Sequence, residues 1–462
     1  MDGGGGGRRP RAVFMAFGTR GDVFPIAALA AAFAQDQRQY SVVFITHSAH
    51  QTVMLDICLC QAHLFLLPNS SRASHRKKII QVEHRKECLS AVENVFGNDM
   101  STHGDFIVIN FFALEGWHLA ELFQVKCIIA APYFVPYSAP ASFERQFKQS
   151  LPLLYKYFQE APLNMDPVTN LPLWYMREES PLLLYGFSKE IVECPGYWPF
   201  SAHVCGFWFL PMAWQFSCNK CKELLCGNAS NSGGALCVNH AGLEHFTMGN
   251  SYSSLPIFIG LSSIGSMGFL RNPKAFLMVL KAVIEKTDYR FILFSSGYQP
   301  LDSAIQSFAP SVAESSEYQA SALHCDSNIL FNGRLFCFSG WLFPKCAIAI
   351  HHAGSGSTAA ALFAGIPQIS CPFLLDQFYW AERLHWLGVA PEPLRRQHLI
   401  LDTDNASSIN NAADMLIGAI KSALSPEIKA QATRIANKLS SEDGIGEALR
   451  ILKERVLPQS ES

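Results

Sequence analysis

Two short apolar runs, Ala347–Ile350 and Gln368–Pro372, bracket the segment His351-His352-Ala353-Gly354-Ser355-Gly356-Ser357-Thr358 and an alanine-rich stretch after it. Apolar runs of this length bounded by small residues predict buried strands. The alanines predict a helix. A strand that passes through a small-residue loop into a helix leaves the first-turn N–H groups without acceptors. The helix dipole places positive charge at the same end, so the unit suits an anion. Gly354 and Gly356 let backbone approach a phosphate, and Ser357 and Thr358 can cap the helix or donate to a ligand. The second run ends just before Asp376-Gln377, a pair able to hydrogen-bond sugar hydroxyls. The carboxyl ends of two neighbouring strands would then carry a diphosphate cradle and a sugar-reading pair. A Gly-x-Gly alone fits any α/β loop; the combination is what constrains the chain.

The same unit opens the chain. Ala12–Phe17 reads as a buried strand, Gly18-Thr19-Arg20-Gly21-Asp22-Val23-Phe24-Pro25 as a tight turn, and Ile26–Phe33 as a helix. A dinucleotide-binding fold would need G-x-G-x-x-G here and an acid closing the next strand. The glycines are three apart instead, and the next strand, Ser41–Ile45, runs into Thr46-His47. A carboxylate at Asp22 can take the proton of an attacking hydroxyl if partial desolvation raises its pKa. It can equally cap a helix starting near Pro25.

With these residues in view, a resemblance emerges. HHAGSGSTAAALFAG, then IP, then DQFYW and ERLHWLGVAP, is similar to the nucleotide-sugar site of the glycosyltransferase-B superfamily. Within that superfamily it most resembles the sterol glucosyltransferases of plants and fungi, whose opening GTRGDVQP turn is also similar to residues 18–25 here. The resemblance implies a fold of two Rossmann-like α/β domains facing a cleft. It implies an inverting, metal-independent transfer of glucose from UDP-glucose to a lipophilic alcohol such as a sterol, with no cofactor. Carried over residue by residue, Asp22 matches the base and Gly21 lies in its turn. His352, Gly354, Gly356, Ser357 and Thr358 match the diphosphate cradle, and Asp376 and Gln377 match the sugar-reading pair. Trp341 matches the tryptophan of the upstream PHDWLF run, and Ser263 the serine of a GFGSM turn. This chain departs from the pattern at Phe24 (glutamine in the family), Ala353 (glycine), Ser357 (threonine) and Phe338-Ser339-Gly340 (Pro-His-Asp).

The length, 462 residues with 49% hydrophobic content, fits two or three well-buried domains. The expected division is a Gly-rich leader at 1–11, an acceptor domain at 12–214, a polar connection at 215–254, a donor domain at 255–440, and a helix at 441–462 crossing back to the first domain. A net charge of −2 without long charge runs excludes nucleic-acid binding. Fourteen cysteines without a secretory signal indicate a reducing, cytoplasmic setting. No apolar run reaches a membrane span, so membrane contact would be peripheral. The basic run around His75–Lys78, Arg85 and Lys86 suits either such contact or a solvated helix face.

Residues 48–104 read as mixed helix and loop. The helix Glu115–Phe123 carries His118, an alternative base or a core histidine. Pro132-Tyr133-Phe134-Val135-Pro136-Tyr137 and the aromatic run Phe143–Phe158 suit an apolar acceptor pocket, with His118, Tyr133 and Phe134 as its candidate lining. An abrupt seam at Asn164-Met165-Asp166-Pro167 stands where related sequences carry a longer helical stretch. Cys218-x-x-Cys221 and Cys237-x-x-His240 have zinc-knuckle spacing; the competing reading is free thiols in an exposed loop. Asp402-Thr403-Asp404 reads as a helix start rather than a metal site. Two further functions stay open: a non-catalytic, UDP-sugar-binding scaffold on the same fold, and a nucleotide-sugar epimerase.

Overall fold

The computed structural model describes residues 8–50, 62–67, 77–97, 104–133, 181–192, 201–216, 218–227, 236–248, 254–261, 264–265, 267–295, 297–308, 323–326, 329–332 and 338–457. Phe134, Ser263, the run 143–158 and the seam at 164–167 lie outside them. The chain divides into two compact units. One holds the residues up to Pro211, apart from a short stretch among those not described, and takes back the chain from Glu442; the other runs from Met212 to Ser441.

The first unit is built on a parallel sheet of seven described strands: β1 (Arg11–Met15), β2 (Ser41–His47), β3 (Ala62–Leu67), β4 (Phe106–Ile109), β5 (Lys126–Ala131), β6 (Leu182–Tyr185) and β7 (Ala202–Val204). Their order is β3-β2-β1-β4-β5-β6-β7. The central strands are apolar throughout and buried, as strands covered on both faces must be. Arg11 joins β1 to the start of β4: its guanidinium and backbone N–H both donate to the buried Asp105 carboxylate. The helix Gly444–Arg455 packs on the helix Arg20–Asp36. Lys453 Nζ lies 2.6 Å from Asp36 Oδ2, and the Trp208 indole donates to Gly444 O at 3.0 Å. A Cβ added to Gly444 would lie 2.5 Å from the Gly206 carbonyl carbon, so the closing helix requires glycine there.

The second unit carries β8 (Ile257–Gly260), β9 (Phe291–Phe294), β10 (Leu323–Asp326), β11 (Ile329–Asn332), β12 (Ile348–His351) and β13 (Gln368–Ser370), ordered β10-β11-β9-β8-β12-β13. All pairings are parallel except β10 with β11. Alternate residues feed two cores, as the two-residue period of a strand dictates. Ile257, Ile259, Phe291, Leu293, Ile348 and Ile350 pack with the helices Pro273–Lys286 and Ala406–Ala423. Phe258, Ile292, Phe294 and Ala349 pack on the opposite face with Phe216, Trp341, Phe343 and Ala360.

Several sequence expectations need correction. Residues 62–67 form a strand, not loop, pairing in parallel along β2. The strand expected over Ala202–Phe209 stops at Val204, and the first helix begins at Arg20, ahead of Pro25. The polar stretch 215–254 does not stand apart as a connection. It carries the helices Asn219–Gly227 and Ala241–Met248, and its Phe216, Cys221, Leu236, Cys237, Leu243 and Phe246 are buried in the second unit's core. Other apolar side chains there, Leu224, Val238 and Met248, are exposed, so composition does not mark which ones join the core. No described helix is long and apolar enough to cross a membrane.

Candidate active site

In the second sheet the strand order reverses between β8 and β12. In open α/β sheets, ligands bind outside the carboxyl ends of strands at such a point. β12 leads there directly into the His352–Thr358 loop. The His351 ring is buried and bridges to β13: Nδ1 accepts the Ala353 N–H at 3.0 Å, so the ring proton sits on Nε2 and is donated to Gln368 Oε1 at 2.8 Å. Burial keeps this ring neutral, pushing its pKa down to about 4.

Ala353 sits at φ +59, in the left-handed region that favours glycine. This turn lays the His352 ring over the next residue. A Cβ at Gly354 would lie 2.4 Å from His352 Nε2, so only glycine fits beneath it. Burial, and secondarily the neighbouring His351, pushes His352 down to about 3, so its ring is neutral as well. His352 Nδ1 is buried with no hydrogen-bond partner, and so is Thr358 Oγ1. The helix Ser355–Ala364 has Gly354 as N-cap, no side-chain cap and no acid in its first turn. Of the two roles open to Ser357 and Thr358, capping this helix is not the one they take. One loop therefore gathers two orphaned polar side-chain atoms and an uncapped helix N-terminus. The donors and the dipole both favour an anion. Gly356 and Ser357, both half-buried, form part of that first turn.

Asp376 and Gln377 follow β13 at the start of the helix Gln377–Trp386, after a turn with Leu375 at φ +52. The indole of Trp380 donates to Asp376 Oδ2 at 2.9 Å. The backbone N–H groups of Phe373 and Leu374 donate to Gln377 Oε1 at 2.9 and 3.2 Å. Gln377 Oε1 is thus engaged by backbone, and its NH2 group is a donor. Trp341 differs from these residues. It is 5% exposed, packs its ring against Phe216 and lies under the Lys345 ammonium at 3.6 Å, within the second unit's core. Asp402 pairs with Arg396, and the following helix is capped by Asn405 rather than by an aspartate of the D-x-D triplet.

In the first unit, β1 leads into the Gly18–Asp22 turn. Asp22 is the third residue of the helix Arg20–Asp36, and its Oδ2 accepts both the N–H and the hydroxyl of Thr19, at 2.6 and 2.7 Å. Burial raises its pKa to about 6, against the lowering effect of the Thr19 hydrogen bonds. Gly21 lies between them with open space at its Cβ position apart from Thr19 Oγ1 at 3.8 Å. Asn110, at the end of β4, donates to the carbonyls of Phe17 and Asp22 and fixes the turn on the sheet.

A cluster of imidazoles, which the sequence reading had not assigned, stands beside this turn. His50 Nε2 is 3.1 Å from Gly18 O, His47 stacks on Phe17, and His47 Nε2 is 3.2 Å from His84 Nε2. Burial, with His84 and His50 nearby, pushes His47 down to about 4. Thirty-seven residues separate His47 from His84, so no local pattern could have paired them. Of the candidate acceptor lining, Tyr133 is buried; its hydroxyl accepts the Phe111 N–H and its ring packs on the half-exposed Phe112. His118 is half-buried on the helix Glu115–Leu122. The four candidate zinc residues do converge, in the second unit.

Residues 327–452 match the family described as erythromycin biosynthesis protein CIII-like, C-terminal domain. A sterol 3-beta-glucosyltransferase of Arabidopsis thaliana is 25% identical over 302 residues, covering 65% of this chain and 39% of that protein. One of Vanderwaltozyma polyspora is 23% identical over 95% of this chain and 34% of its own length. The chain thus spans little more than a third of the length of these relatives. Among solved structures, the glycotransferase of kitacinnamycin superimposes with a TM-score of 0.61 at 14% identity, covering 98% of this chain and all of that one. The calicheamicin glycosyltransferase CalG4 superimposes with a TM-score of 0.59 at 15% identity, also over 98% of this chain and all of that one. The chain is similar in sequence to sterol 3-beta-glucosyltransferases and shares its two-unit α/β fold with solved glycosyltransferases.

Proposed function

We propose that this protein is an inverting glycosyltransferase that moves glucose from UDP-glucose to the hydroxyl of a lipophilic acceptor of the sterol class. The observation that carries the reading is the loop after β12. Two buried polar atoms, His352 Nδ1 and Thr358 Oγ1, lack partners there beside a helix N-terminus that has no cap of its own. Buried donors stay unsatisfied only at a cost of about 1–3 kcal/mol each, and a diphosphate would satisfy them. A neutral His352 can turn an N–H toward a phosphate oxygen, and its hydrogen bond would strengthen as charge grows on the departing diphosphate. The Gln377 NH2 group and the braced Asp376 carboxylate suit a donor and an acceptor for sugar hydroxyls. Asp22, raised to about 6, suits a general base working near neutral pH. A hydroxyl activated by it would attack the anomeric carbon opposite the leaving diphosphate, turning an α-linked donor into a β-glucoside.

The test is mass-resolved turnover of UDP-glucose by the full chain with a sterol in detergent. The expected product is a steryl β-glucoside together with an equivalent of UDP. UDP-glucose that binds but stays intact with every sterol offered would overturn the sterol reading and favour a binding relative. Interconversion of the sugar without acceptor would favour an epimerase.

A further inference from the structure

Away from the loop after β12, the second unit holds a cluster that sugar transfer does not use. Cys218, Cys221, Cys237 and His240 each offer one ligand atom, and these atoms all lie within 4.8 Å of one another. The Sγ atoms of Cys218 and Cys237 are 3.7 Å apart. His240 Nδ1 lies 3.5 Å from Cys221 Sγ and 3.2 Å from Cys237 Sγ. Around a tetrahedral zinc with ordinary bond lengths, sulfur atoms stand about 3.8 Å apart and sulfur stands about 3.6 Å from nitrogen. The cluster has that size before any ion is supplied. A disulfide requires about 2.05 Å between sulfurs, and these cysteines are free.

The local chain is shaped to hold the set. Cys218 and Cys221 bracket the start of the helix Asn219–Gly227, so the Cys-x-x-Cys spacing turns both thiols to one side. Cys237 and His240 bracket a single 3-10 turn, Val238–His240, which does the same from the opposite side. The Cys237 N–H points at Cys221 Sγ at 3.5 Å and so orients that sulfur. Glu244 Oε2 accepts the Leu236 N–H at 3.0 Å and so fixes the strand of chain entering the second pair. Cys221 and Cys237 are buried in the same core as Phe216, Leu243 and Phe246. Three soft sulfurs and an imidazole, all within 4.8 Å of one another, select zinc over harder cations.

We propose that Cys218, Cys221, Cys237 and His240 bind one structural zinc ion. It clamps the helix Asn219–Gly227 and the turn before the helix Ala241–Met248 onto the second unit. The clamp lies in the same unit as the loop after β12, and Cys221 and Cys237 share a core with Ala360 and Ala361 of the helix that leaves that loop. Phe216, two residues before the first ligand, packs its ring edge-on to Trp341 at 6.5 Å between centroids. The ion therefore anchors the core on which the sequence motif Trp341-Leu342-Phe343 rests. With all four positions filled by protein, it has no open site for water or substrate, so its role is folding, not chemistry.

The test measures metal, not transfer, so it stands whatever the acceptor proves to be. The full chain, purified without chelator, should carry one zinc per molecule by mass spectrometry of the digested protein. Zinc-edge X-ray absorption should show three sulfurs at about 2.3 Å and one nitrogen at about 2.0 Å. Cys221→Ser should lose at least nine-tenths of the zinc, while Cys127→Ser, outside the cluster, should keep it. Replacement by Co(II) should give the intense visible bands of a tetrahedral thiolate site. A folded wild-type chain without zinc overturns the proposal. So does a metal shell of oxygens and nitrogens, a Cys218–Cys237 disulfide, or full zinc in folded Cys221→Ser. If Cys221→Ser does not fold, the absorption spectrum of the wild type still decides.

Discussion

The chain uses one supersecondary unit twice, and the two copies treat their helix N-termini in opposite ways. After β1, Thr19 is the N-cap, Gly21 the second helical residue and Asp22 the third. After β12, Gly354 is the N-cap, with Gly356 and Ser357 second and third. The first copy carries its own carboxylate: Asp22 accepts from Thr19 and stands in the positive end of the dipole. The second carries none, and two buried polar atoms beside it lack partners. A helix that supplies its own anion leaves that anion available as a base, raised to about 6 by burial. A helix that supplies none leaves its terminus open to a ligand's anion. One residue, aspartate or serine at the third position, separates the two chemistries.

The contrast breaks most visibly at the base. Asp22→Asn keeps an acceptor for the Thr19 hydrogen bonds but cannot take a proton, and turnover should fall by about 10²–10⁴-fold. Because Asp22 is raised above its usual value, its charge opposes folding above about pH 4 and the penalty is complete above its folded pKa near 6. The variant should therefore unfold no earlier than the wild type at pH 7, as calorimetry would show. By the same sign, wild-type kcat/KM should rise through pH 6 as the base ionises, and this limb should vanish in Asp22→Asn. A flat wild-type profile from pH 5 to 7 would remove Asp22 from the role.

Converting the second copy into the first comes next in size. Ser357→Asp places a carboxylate at the third position of the helix Ser355–Ala364. At an effective dielectric near 20, two charges 4 Å apart repel by about 4 kcal/mol, so UDP affinity should drop well over tenfold. The ligand-free protein should gain roughly 0.3–1 kcal/mol from the helix dipole, read in urea unfolding. His352→Ala removes one donor to the developing charge and should cost about 3 kcal/mol of transition-state stabilisation, with the fold intact by circular dichroism. The smallest effect concerns backbone. Ala353 holds φ +59, so Ala353→Gly should stabilise the protein by about 1 kcal/mol without changing turnover.

The sequence exposed these two turns more clearly than the rest, for a physical reason. Both follow short, mostly apolar strands and open on glycine-containing turns, and such local signals need no distant partner. The polar pair Asp376-Gln377 was legible for the same reason, while its bracing was not. That Trp380 would hold Asp376, or that backbone N–H groups would occupy Gln377 Oε1, depends on helix placement. β3 escaped notice because Ala62–Leu67 follows the mostly apolar residues 53–60 without a clear turn signal, and it pairs with β2 in parallel rather than in a hairpin. Trp341 stands out only through its motif; that its ring packs against Phe216, 125 residues away, and under Lys345 is set by the fold. The Cys-x-x-Cys and Cys-x-x-His pairs were visible, but only the fold brings their side chains within a few ångströms.

The most direct test of the contrast is UDP titration by isothermal calorimetry of the wild type, Asp22→Asn and Ser357→Asp at pH 7. If the second copy holds the diphosphate and the first supplies the base, Asp22→Asn will bind UDP as the wild type does, and Ser357→Asp will bind it more than tenfold more weakly. Undiminished binding by Ser357→Asp, or binding lost in Asp22→Asn, would contradict the assignment.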